Sequence, residues 1–139
     1  MSIQAIITEL ATLEAGITGI AAAYDETPDS LSEFPCFINY PKSGRLHFSA
    51  TNGGQSDHTI VCELRYSKLI STEAEAKMRP FVKLFRDKLA ANLTLNGTVD
   101  TINDIRYEYG RLGTMAGEEY LVIRFEVDVK ETETITVSA

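Results

Sequence analysis

Residues 58–99 read HTIVCELRYSKLISTEAEAKMRPFVKLFRDKLAANLTLNGTV, and this stretch decides the fold. From His58 to Ser67 the side chains alternate. Ile60, Cys62, Leu64 and Tyr66 point one way; Thr59, Val61, Glu63 and Arg65 point the other. A period of two is the mark of a half-buried strand. Ser71 or Thr72 then caps a helix, with Thr72 and Glu75 at capping-box spacing. Met78, Phe81, Val82, Phe85 and Leu89 form its apolar face. Pro80 lies inside this helix, where it lacks a backbone donor and crowds the carbonyl of Ala76, so a kink or break is expected there. Asn96-Gly97 turns the chain into the next strand.

Working outward, residues 2–15 carry Ile3, Ile6, Ile7, Leu10 and Leu13 at helical spacing, with Ser2 as N-cap and Gly16 as a natural C′ residue. Residues 16–24 (GITGIAAAY) read as extended. Residues 25–35 (DETPDSLSEFP) read as an acidic loop. Cys36–Tyr40 reads as a short strand stopped by Pro41, Lys42-Ser43-Gly44 as a turn, and residues 45–50 as a second hairpin arm. TNGGQSD (51–57) reads as a flexible loop and GRLGTMAGEE (110–119) as a glycine-rich connection. Strand structure is expected between Val99 and Leu112. Tyr120–Lys130 is the clearest strand, with Leu121, Ile123, Phe125, Val127 and Val129 facing the core. Residues 131–139 read as a tail or arm. The order α-β-β-β-α-β-β predicts a single α+β domain over residues 1–130, a mostly antiparallel sheet packed by two helices.

The 139 residues are 44% hydrophobic and 24% charged, ordinary for a globular protein, with a net charge of −7 that disfavours a free-standing nucleic-acid binder. No apolar run approaches a membrane span, and MSIQAIITELATL lacks the basic start of a signal peptide, so neither is expected. Cys36 and Cys62 sit in strand-like apolar runs and read as small buried hydrophobes. His47 and His58 are not clustered with them at metal-ligand spacing, and no electropositive context activates either thiol. Glu118-Glu119 and Glu131/Glu133 read as solvated loop charge, and GRLGTMAG lacks the Gly-Lys-Ser/Thr ending of a phosphate loop. The chain is therefore expected to be no enzyme and to need no cofactor.

One charge pattern remains. Lys77, Arg79, Lys83, Arg86 and Lys88 crowd residues 77–88 against the single acid Asp87. The plain reading is a solvated helix face. The sharper reading is a subunit contact, in which Arg79, Lys83 and Arg86 meet the acidic loop of a neighbour at Asp25, Glu26, Asp29 and Glu33.

The order of these pieces resembles the tail-terminator family of long-tailed bacteriophages. The matching segments are Leu13-Glu14-Ala15-Gly16-Ile17-Thr18-Gly19, Pro28-Asp29-Ser30-Leu31 and Phe34-Pro35-Cys36. They continue with Thr59-Ile60-Val61-Cys62-Glu63-Leu64, Arg79-Pro80-Phe81, Leu95-Asn96-Gly97-Thr98-Val99 and Glu119-Tyr120-Leu121-Val122-Ile123-Arg124-Phe125. Together they span roughly residues 3–130 of the chain. The resemblance implies a structural virion protein, made in the host bacterial cytoplasm and placed at the head-proximal end of the tail. It would form a homo-oligomeric ring, usually a hexamer, that caps the tail tube protein, meets a neck or head–tail connector protein, and lets DNA pass. It implies no membrane partner. The loops at Asn52, Gly53 and Gly54 and at Arg111, Gly113 and Gly117 would order on assembly. Two other readings stay open. One is a neighbouring connector, such as a stopper or head-completion protein. The other is a small α+β ligand-binding domain, which a deep pocket lined by His47, His58 and a cysteine would favour.

Overall fold

The alternating stretch at residues 58–67 is the spine of the molecule. In the computed structural model, which describes residues 3–28, 31, 33–48, 53–68, 70–113, 117 and 119–134, it belongs to a strand with neighbours on both sides. The elements in chain order are α1 (Ile3–Ala15), β1 (Ala22–Tyr24), β2 (Cys36–Phe48), β3 (Gly53–Ser67), α2 (Thr72–Met78), α3 (Phe81–Ala90), β4 (Thr101–Gly113) and β5 (Glu119–Thr134). The strands form one five-stranded sheet in the order β1-β2-β3-β5-β4. β1 runs parallel to β2, and every other pairing is antiparallel. The fold is α+β, as the sequence predicts.

One face of the sheet carries the core. Ile60, Cys62 and Leu64 of β3 and Ile123, Phe125, Val127 and Val129 of β5 are buried with Ile6, Ile7 and Leu10 of α1 and with Phe81, Phe85 and Leu89 of α3. Phe85 stacks on Phe125 with ring centroids 4.1 Å apart and on Phe37 at 5.5 Å. Burying these large side chains is the main stabilising term, at roughly 1.5–3 kcal/mol each.

The second helical segment divides at the proline. α2 ends at Met78 and α3 begins at Phe81, while Arg79 and Pro80 keep helical backbone angles. Pro80 thus sits at the entry of α3, where its missing donor costs little. The cap of α2 is Ser71, whose Oγ accepts from the Ala74 amide at 3.1 Å; Thr72 is already helical. Asn96 (φ 57°) and Gly97 (φ 84°) make the expected left-handed turn before β4.

Several expectations need correction. β2 does not stop at Pro41. It runs on to Phe48 with one irregularity between Pro41 and Ser43, so Lys42 sits at a bulge while Ser43 and Gly44 pair with Thr59 and His58, and the segment is not a turn. Proline is tolerated there because β1 ends opposite Ile38 and leaves this part of β2 at the edge, next to a bulge. Gly53 to Asp57 belong to β3 and not to a loop; Gly54 pairs with Phe48 on one side and Glu133 on the other. Arg111 and Gly113 likewise lie in β4, and of that expected connection Gly117 remains outside a strand, with φ 83°. Residues 131–134 are no frayed tail: Glu131–Thr134 pair with Ser56–Gly53. Of residues 16–24 only Ala22–Tyr24 form a strand, after tight turns at Gly16–Ile20. Ser2, Asp29, Asn52 and residues 135–139 lie outside the described residues.

Candidate functional site

Three features of this scaffold carry polar chemistry: a cluster under α1, a charged sheet face, and two open sheet edges.

The cluster joins α1 to the sheet. Glu14, fully buried at the end of α1, accepts a 2.6 Å hydrogen bond from Asn39 Nδ2. The same amide donates to the Tyr24 carbonyl at 2.9 Å, tying α1, β1 and β2 together. Asn39 pairs across the ladder with Cys62. Burial pushes the Glu14 carboxyl up to about 8, against the smaller lowering effect of the Asn39 hydrogen bond. Burial and the neighbouring Glu14 also hold the Cys62 thiol well above its ordinary value, so it is a poor nucleophile. Cys36 is buried too and pushed up to about 11. Glu14 continues the α1 stripe from Ile7 and Leu10, and that spacing is the signal by which sequence reasoning could have found it.

The opposite sheet face is lined with ion pairs. Lys42 Nζ lies 2.5 Å from Glu126, and Arg106 reaches both Glu126 (3.3 Å) and Asp128. Thr59 donates to Asp128 at 2.6 Å. The hydrogen bond from Lys42 holds Glu126 below the usual carboxylate range. Burial raises Asp128, but hydrogen bonds from Arg106 and Thr59 outweigh it and leave the group lowered. Further along, buried Glu63 accepts from Arg65 at 2.8 Å and from the Tyr40 hydroxyl at 3.1 Å, with Arg124 at 3.6 Å. These groups neutralise one another, an arrangement suited to a specified surface more than to proton transfer.

The histidines take up this logic and do not approach the cysteines. His47 Nε2 lies 3.1 Å from Asp57 and His58 Nε2 lies 3.5 Å from Glu131, each contact joining neighbouring strands. Among the described residues no group of three or more His, Cys, Asp or Glu side chains is placed to hold a metal ion.

Both sheet edges are open over most of their length; at the start of β4 the Ile102 amide donates to the Leu93 carbonyl at 2.8 Å. β1 pairs with β2 only at Cys36–Ile38, so among the described residues nothing pairs with the outer side of β2 from Asn39 to Phe48. β4 is the last strand on the other side. Four of the large exposed apolar side chains lie on these two strands, Leu46 (69% exposed) and Phe48 (78%) on β2 and Tyr107 (51%) and Tyr109 (49%) on β4; Ile3, Leu84 and Leu93 are exposed elsewhere.

The charged patches expected from the sequence sit beside these same edges. Arg79 shares a shallow surface depression with Tyr109, Gly110 and Arg111 of β4, and Arg86 shares another with Asn103 and Asp104. Arg79, Lys83 and Arg86 are exposed, Arg86 with Asp87 at 3.0 Å. The acidic segment flanks the other edge, between β1 and β2. Glu26 and Glu33 are exposed there, while Asp25, partly buried, accepts a surface hydrogen bond from Thr8 Oγ1 at 3.1 Å.

No family model matches the chain, and no curated protein is similar enough to count as a relative.

Proposed function

We propose that this protein is the subunit of a closed homo-oligomeric ring of the tail-terminator kind its sequence resembles. In that role it caps a tail tube, ends its growth, and joins it to a neck protein while DNA passes through. The observation that carries this reading is the placement of opposite charge on opposite sides of one sheet. Arg79 and Arg86 line depressions against β4, and Glu26 and Glu33 are exposed in the segment that joins β1 to β2. A cyclic ring uses a heterologous interface, in which one side of each subunit meets the other side of the next. Complementary patches on opposite sides serve that symmetry; a twofold dimer would call for one self-complementary patch. The polar chemistry described above also favours surfaces over catalysis, since its charges are consumed in pairing.

The test has two parts. Native mass measurement of the purified protein reads the assembly, and labelling of the subunit on virions or isolated tails reads its place. A ring at the head-proximal end of the tube, touching the last tube subunits, is expected. A strictly monomeric protein that is absent from tails overturns the reading. A ring one layer further toward the head assigns the stopper role instead.

A further inference from the structure

We infer that successive subunits join by pairing the open edge of β2, from Tyr40 to Phe48, with β4 of a second copy, so that their sheets merge into one. This inference rests on the ring reading for its closure. It names the interface, and it can fail while the ring reading stands.

Direction supports the pairing. β2 and β5 run one way, β3 and β4 the other. A second copy laid beside the first, with its helices on the same side, therefore presents its β4 antiparallel to β2. No flip of the subunit is needed, which is the relation that neighbours in a ring have.

Side-chain chemistry supports it on both faces. Leu46 and Phe48 pair with Ser56 and Gly54, which are in phase with Ile60, Cys62 and Leu64, so they lie on the helix side of the sheet. Tyr107 and Tyr109 pair with Phe125 and Ile123 and lie on that same side. Merged edges would place these exposed rows together, aliphatic and aromatic on one side against aromatic on the other. On the opposite face Lys42 of the β2 edge is held by Glu126 and Asp104 of the β4 edge lies 3.5 Å from Arg106, which leaves Arg45 on the one edge and Glu108 on the other. Arg106 is already held by Glu126 and Asp128, and Arg45 has no ion-pair partner among the described residues. Among the described residues, one unpaired cation of the β2 edge thus meets one unpaired acid of the β4 edge on the outer face, with apolar beside apolar on the helix face.

Pro41, the adjacent bulge and Lys42 blunt the start of this edge, but from Arg45 onward it carries the large exposed side chains of Leu46 and Phe48, otherwise an aggregation hazard. A strand from an identical subunit removes the hazard by satisfying both edges at once, and the same feature repeats around the ring.

Two double variants test the inference: Leu46→Glu with Phe48→Glu, and Tyr107→Glu with Tyr109→Glu. Each is measured by native mass spectrometry and analytical ultracentrifugation, with far-UV circular dichroism as the check on folding. The wild-type protein is expected to associate, and each variant alone to run as the 15.4 kDa monomer with an unchanged spectrum. Mixing the two should give a two-subunit species and nothing larger, since one intact β2 edge then meets one intact β4 edge. Should the double tyrosine variant fail to fold, Tyr109→Glu alone takes its place in the mixture. A β2-edge variant that assembles like the wild type overturns the edge pairing and leaves the ring to other contacts. A mixture that stays monomeric, or a wild-type protein that stays monomeric at millimolar concentration, also overturns it.

Discussion

Replacing Glu14 by glutamine keeps the shape of the side chain and deletes its ionisation. In the native protein this carboxyl is buried against Asn39 and Cys62 and is pushed up from 4.5 to about 8. In the unfolded chain it ionises near its ordinary value. The linkage then has a definite sign. Below pH 4.5 both states hold the proton and Glu14 contributes no pH dependence. Between that value and about 8 the unfolded chain releases the proton while the native protein keeps it, so stability falls as pH rises. The slope is about 1.4 kcal/mol per pH unit, giving a total loss of roughly 3–5 kcal/mol by pH 8. The substituted side chain would still accept from Asn39 Nδ2, and its amide would stand where the protonated oxygen stood. The Glu14→Gln variant should therefore match the wild type near pH 5 and exceed it by a few kcal/mol at pH 8. Urea midpoints of the two proteins, taken from pH 5 to 8, give the difference directly, and taking the difference cancels groups common to both. Stability curves that run parallel across this range would refute the claim that Glu14 is buried as a neutral acid.

Other perturbations test the packing and the surface. Phe85→Ala empties the stack between Phe37 and Phe125 and should cost about 3–5 kcal/mol in chemical denaturation; a loss below about 1 kcal/mol would mean that Phe85 does not organise the core. Ser71→Ala removes the cap of α2 and should cost about 0.5–2 kcal/mol by the same assay, with the native spectrum unchanged. Arg79→Glu with Lys83→Glu should weaken self-association several-fold at low salt and make it more sensitive to salt; unchanged assembly would return that helix face to solvent.

The parts of the fold that face the core were legible because burial imposes a period on sequence. Leu121, Ile123, Phe125, Val127 and Val129 alternate and are all buried, and Ile6, Ile7 and Leu10 mark the inner side of α1. The break at Pro80 and the turn at Asn96-Gly97 followed from backbone chemistry alone. The far ends of β2, β3 and β5 were not legible. Gly53–Asp57 and Glu131–Thr134 are held by ladder pairing where few core contacts select apolar residues, so their composition reads as loop. Pro41 misled for a related reason: whether a strand lies at an edge is a tertiary fact. Glu14 was missed although its spacing places it on the buried side of α1, because an acid there reads as solvated until the Asn39 amide that meets it is known, and that meeting is a tertiary fact. The charged helix face was visible from its spacing. Its position beside β4 was not, because that depends on which strand closes the sheet.

β1 is only three residues long, Ala22–Tyr24, and it covers β2 as far as Ile38 and no further. In a merged sheet it acts as a gauge block. In the proposed edge pairing, a neighbour's β4 could extend along β2 no further than the end of β1, with the bulge after Pro41 lying just before it. A slip of one residue would turn the apolar rows to the wrong face, so the stop must act in steps of two. Strand offset, tilt and strand number are linked in any sheet that closes on itself. Were such a sheet to close, this smallest element would limit the offset between subunits, one of the linked quantities that set its width.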